Sequence, residues 1–93
     1  MYTTYNDESL IRHGVSREQV QEVLAGYIDG LTRVVADGLS RRGNATRLLV
    51  GFTLAGVLLE IGVEYFEDRD HIYHGQAVSP ANRRRFERLL RNE

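Results

Sequence analysis

The sequence predicts an α+β domain with two N-terminal helices, a four-stranded antiparallel sheet and a C-terminal helix. Three observations predict it. Helix-capping signals stand near both ends of the chain. Apolar and β-branched runs, separated by turn residues, fill the middle. One of those runs, from Val57 to Phe66, alternates with a period of two. Helices followed by a run of strands form the pattern of an α+β domain, here an antiparallel meander covered on one face.

Each element has a local reason. Asn6 or Asp7 caps a short first helix carrying Leu10 and Ile11, and Gly14 ends it because glycine accepts a positive φ. Ser16 is the next N-cap, with Gln19 three residues on as the second half of a capping box. Val20, Val23 and Leu24 then form one apolar stripe, and Gly26 stops the helix. Ile28 to Ala36 is a first strand, followed by a turn at Asp37-Gly38 and a polar loop from Ser40 to Asn44. Leu48 to Leu54 is almost wholly apolar, which suits a central strand covered on both faces. Ala55-Gly56 is a tight connection. In the next strand, Val57, Leu59, Ile61, Val63 and Tyr65 face the core. Leu58, Glu60, Gly62, Glu64 and Phe66 face solvent or a cleft. Glu67 to Asp70 is a charged turn, and His71 to Val78 is the last strand. Ser79 and Pro80 then fit N-cap and N1 of a final helix whose stripe is Phe86, Leu89 and Leu90.

The chain has 93 residues, is 42% hydrophobic and 27% charged, and so fits a single globular domain over 1–93. It has no cysteine, which excludes disulfides and thiolate metal sites. No apolar run approaches the roughly 20 residues of a membrane span. The opening residues lack the basic and apolar regions of a signal peptide. A cytoplasmic bacterial protein is the expectation. All twelve basic residues are arginine. Genome composition is one explanation for that bias; with any origin, a guanidinium matches phosphate oxygens bidentately. Net charge is −1, but the arginines are grouped at positions 41, 42 and 47 and again from 83 to 91, so a bipolar surface is expected.

Several segments resemble one known family. Arg12-His13-Gly14-Val15-Ser16, followed by a short amphipathic helix, resembles the opening of the BrnT-like toxins. Leu48 to Thr53, a small turn, and Leu58 to Ile61 resemble that family's central hairpin. Asp37 to Asn44 is similar to its actinobacterial branch, and the last strand with the helix from Arg83 to Arg91 also matches. The resemblance runs from about residue 10 to 91, and order and spacing carry it. It implies a RelE-like fold, metal-independent ribonuclease activity with no cofactor, and neutralisation by a cognate DNA-binding antitoxin. Arg12 stands where the family commonly has lysine. Gln76 stands where an arginine is expected, and His74 where the actinobacterial branch usually has histidine.

Metal-free RNA cleavage needs a base for the 2′-hydroxyl, a cation for the phosphate and an acid for the leaving oxygen. His74 is the first candidate for base or acid, against a plain structural histidine. His13, in the family-like motif, is a second candidate; its alternative is a cation at a helix C-terminus. His71 is three residues before His74 and is expected on the other face of the strand. Glu60 and Glu64 share one face and suit a general base with a tuning partner, or simply solvated charges. Two carboxylates also suit a glycosidase in principle, although nothing else supports one. Arg47 or Arg42 is the expected phosphate clamp, with Arg41 beside them. Arg12, Arg83, Arg84 and Arg85 are expected to bind RNA phosphate or an acidic antitoxin segment. No metal-ligand spacing, phosphate loop or nucleophile elbow is readable.

Two functions follow as expectations. The first is an endoribonuclease toxin cutting messenger RNA. The second is an inactive binding module that keeps the fold and pairs with an antitoxin or another protein, through the arginine helix or an exposed sheet edge. An open edge also permits a homodimer or a toxin–antitoxin hetero-oligomer.

Overall fold

A computed structural model of the chain, describing residues 1–92, contains one five-stranded mixed sheet and three helices. The elements run β1 (Tyr2–Tyr5), α1 (Asp7–Arg12), α2 (Arg17–Ala25), β2 (Arg33–Leu39), β3 (Ala45–Phe52), β4 (Leu58–Tyr65), β5 (Arg69–Ala77) and α3 (Pro80–Arg91). The strand order across the sheet is β1-β5-β4-β3-β2.

This corrects the expected four-stranded antiparallel sheet headed by two helices. A strand precedes both helices, and it lies parallel to β5, with Tyr2 opposite Arg69 and Tyr5 opposite Ile72. Tyr-Thr-Thr-Tyr has high strand propensity, but four residues are too few to display a period. Its partner lies far along the sequence. The same pairing lengthens β5 backwards: Arg69 and Asp70, expected in a charged turn, are strand residues between β1 and β4. Asp37-Gly38 is likewise inside β2, opposite Arg47 and Thr46, and the turn falls at Ser40 to Asn44. Gly43 takes the positive φ of 82° that this turn requires.

The helix caps form as their residues dictate. Ser16 and Gln19 make a reciprocal capping box, and the Ser79 hydroxyl accepts from the Asn82 N–H with Pro80 at the start of α3. α1 and α2 cover the first face of the sheet. There Leu10, Val15, Val20 and Val23 pack on Leu49, Leu59, Ile61, Val63 and Ile72. Leu10 lies directly on Gly75, where an added Cβ would stand 2.6 Å from its Cδ2. Thr32, buried behind α2, donates to the Val23 carbonyl and rests on Gly51. α3 covers part of the second face with Phe86 over Val50 and Leu58. Among the described residues no helix is long and apolar enough to cross a membrane.

The core predicts its own weak points. Leu10→Ala is expected to cost about 2–5 kcal/mol, read from the urea midpoint. Gly51→Ala, which would place a Cβ 2.9 Å from the Thr32 Cβ, is expected to lower the midpoint too. An unchanged midpoint for Gly51→Ala would show that Thr32 can leave its seat.

Candidate functional site

The second face of β4 carries Leu58, Glu60, Gly62 and Glu64, and all four are buried. Solvated carboxylates were one expectation for this face. The structure instead places Glu60 at 5% and Glu64 at 4% exposure. A carboxylate can be buried only if its oxygens are satisfied, and each of these two has its own set of donors.

Glu60 lies under the start of α3. Its Oε1 accepts from the Ser79 backbone N–H at 2.8 Å and from Asn82 Nδ2 at 3.1 Å. Its Oε2 lies 2.9 Å from His74 Nε2. Burial pushes this carboxyl up, but the bonds from Ser79, Asn82 and His74 outweigh it and hold the group below the usual carboxylate range. Glu60 is therefore an anion and can only accept. The hydrogen between it and His74 belongs to Nε2. In the neutral ring that leaves Nδ1 as the acceptor, and Nδ1 has no hydrogen-bond partner among the described residues. Asn82 extends the network outward by accepting from Arg85 Nη1 at 2.9 Å.

Glu64 is held separately by the β2–β3 turn. Arg42 donates to it with Nε at 3.1 Å and Nη2 at 3.2 Å, a bidentate pair, and Asn44 Nδ2 adds a bond at 3.0 Å. The Arg42 guanidinium, followed by Asn44, holds this carboxyl down to about 2. Glu60 and Glu64 thus belong to two clusters, and only Glu60 touches His74.

Between the clusters lies Tyr73, whose ring covers Gly62; an added Cβ there would stand 2.6 Å from Tyr73 Cζ. The cause is a β-bulge. Gly62 is opposite His74 while Val63 is opposite Ile72, so Tyr73 is an extra residue in β5. The bulge also corrects the expectation for His71. It pairs with Glu64 and so shares a face with His74, two β4 positions away. His71 Nδ1 meets Thr4 Oγ1 at 2.7 Å. His13, at the C-cap of α1, brings its ring centroid to 6.2 Å from that of His74 in an edge contact, and Tyr73 stands 6.4 Å away on the same measure.

The arginines divide. Arg47 pairs with Val63 on the first face, reaches Asp37 at 3.2 Å and lies over the Tyr65 ring. It is remote from the Glu60–His74 pair in orientation. Arg12 is exposed and faces Glu8. Arg41 is exposed in the turn beside Arg42. Arg83, Arg84 and Arg85 are exposed on α3, which begins at Glu60's own partners. Gln76 stands opposite Glu60. Sequence reasoning missed Ser79, Asn82, Asn44 and Tyr73. Ser79 fits the sequence only as a helix cap, Asn82 carries no signal of its own, and the bulge that lays Tyr73 over Gly62 leaves no mark in the alternation of residue types. No group of three or more histidine, aspartate or glutamate side chains suited to a metal ion occurs among the described residues.

The Glu64 cluster sets an acid limit. A carboxyl held at about 2 against an ordinary 4.5 stabilises the fold above the unfolded value, and that contribution disappears as pH falls through the folded value. Wild-type chain is expected to lose stability between about pH 4.5 and about pH 2. Glu64→Gln is expected to show a flatter profile in that window, measured by urea midpoints at stepped pH. Compared with known proteins, the chain matches no family model and no curated sequence.

Proposed function

We propose that the chain is a metal-independent endoribonuclease, the toxin of a type II toxin–antitoxin pair. The observation that carries the reading is the Glu60–His74 pair: a buried anion fixes one imidazole nitrogen and leaves the other as an unoccupied base. In the proposed reaction His74 Nδ1 takes the proton of a 2′-hydroxyl. The freed oxygen attacks phosphorus, the bond to the 5′-oxygen breaks, and a 2′,3′-cyclic phosphate and a 5′-hydroxyl result. Two groups beside His74 can protonate the leaving oxygen. One is His13 in its imidazolium form. The other is the hydroxyl of Tyr73, whose phenol burial pushes up, so that it keeps its proton at neutral pH. Charge developing on the phosphate would meet the exposed arginines at the start of α3. The same arginines suit an acidic segment of a DNA-binding antitoxin, which would inhibit by covering the site.

One observation favours a second reading. Gln76, opposite Glu60, stands where the family resemblance expects arginine. On this second reading the chain lacks a cation that cleavage needs and is an inactive module that still binds its antitoxin.

Induced expression separates the two. Wild type is expected to arrest growth and degrade RNA. His74→Gln, which can still donate to Glu60, is expected to lower cleavage by about 10²–10⁴-fold. Arg47→Ala, on the other face, is expected to leave cleavage unchanged. Soluble wild-type protein with intact RNA and normal growth would sink the enzyme reading and favour the binding module.

A further inference from the structure

The second face continues past Glu64 into a cleft that the proton-transfer site does not use. Thr4, Arg42, Phe66, Arg69 and His71 line it, an open depression of about 510 Å³. Phe66 is its centre and is half-buried. The Arg69 guanidinium lies 4.0 Å from the ring centroid and that of Arg42 lies at 5.5 Å. The His71 ring meets Phe66 edge-on, at 6.5 Å and 79°. Each of these groups is fixed by a second contact: Arg42 by Glu64, Arg69 by Asp68, and His71 by Thr4. The result is a preorganised group of flat surfaces, and planar aromatic and guanidinium groups are what unstacked bases lie against in single-stranded RNA recognition.

Charge points to the occupant. The two guanidiniums are already paired with Glu64 and Asp68, and Glu67 and Asp68 are exposed in the turn between β4 and β5. That surrounding disfavours a phosphate and suits a neutral, planar, polar-edged group. Position points the same way. His71 and His74 face the same side, opposite Glu64 and Gly62, which are two residues or about 6.6 Å apart along β4. The cleft is therefore a short step along the strand from His74, on the scale of neighbouring nucleotides.

We propose that this cleft is a nucleobase subsite, stacking an unpaired base of single-stranded RNA near the phosphate held at His74. The inference rests on the ribonuclease reading for its substrate, but its test does not need cleavage. Uncleavable 2′-O-methyl RNA octamers, with bases or with abasic residues throughout, are titrated against the full chain by fluorescence anisotropy. Wild type is expected to bind the base-containing octamer more tightly. Phe66→Leu, which keeps apolar packing but lacks a flat face, and Arg69→Ala are each expected to weaken that binding by on the order of 10-fold and to leave abasic binding unchanged. Circular dichroism confirms that both variants fold. Equal affinity of wild type for the two octamers, no RNA binding at all, or equal weakening of both octamers in the variants would overturn the subsite. Cleavage of the all-ribose octamer is measured in parallel. Base-dependent binding that needs Phe66, without cleavage, would retain the subsite and remove the enzyme. Cleavage that is indifferent to Phe66 and Arg69, with equal binding of both octamers, would do the reverse.

Discussion

Two carboxylates stand on one face of the central strand, and neither reaches water freely. An ionised carboxylate out of water is costly unless every oxygen finds donors, and the second face of the sheet is organised around that requirement. α3 begins where its Ser79 N–H and Asn82 side chain can reach Glu60. The β2–β3 turn folds over so that Arg42 and Asn44 can reach Glu64. The two elements that cover this face are thus placed by the anions beneath them as much as by Phe86 and its apolar contacts. The first face follows a plainer rule: α1 and α2 exclude water from a continuous aliphatic layer.

The bulge at Tyr73 converts this arrangement into something with chemical direction. A regular β5 would send Tyr73 to one side and His74 to the other. One extra residue puts His71, Tyr73 and His74 on the same side, with Gly62 leaving room for the phenol ring. Glu60 then fixes which nitrogen of His74 bears hydrogen. Orientation of an imidazole by a buried carboxylate leaves the opposite nitrogen as the group free to react. That the site lies on strands and a helix start, rather than on loops, makes its geometry rigid.

Much of this was legible in the residues, for reasons that differ by element. Caps are local chemistry, so Ser16 with Gln19 and Ser79 with Pro80 marked their helices within a residue of the observed starts. Period two in Val57 to Phe66 correctly separated Ile61 and Val63 from Glu60 and Glu64. Non-local pairing was not legible. β1 is four residues long and acquires its meaning from β5; Asp37-Gly38 has turn composition, but its pairing with β3 keeps it in a strand. Faces inferred by counting residues hold only until a bulge intervenes, which is why His71 had been set apart from His74. The pairing of His74 with Glu60 rather than Glu64 was not legible either: His74 stands opposite Gly62, midway between the two, and Glu64 is taken by Arg42 and Asn44.

The parallel seam between β1 and β5 has a kinetic meaning. Thr4 and His71 are 67 residues apart in sequence, so their contact closes nearly the longest loop the described chain contains. Local pieces such as the β2–β3 and β3–β4 hairpins form on short separations, whereas a seam of this kind must wait for the intervening chain to be in place. Thr4 is one wall of the cleft beside Phe66, and it steadies His71. The wall facing the edge of the sheet is therefore built from two segments 67 residues apart, and loop closure makes it a costlier contact to form than either hairpin.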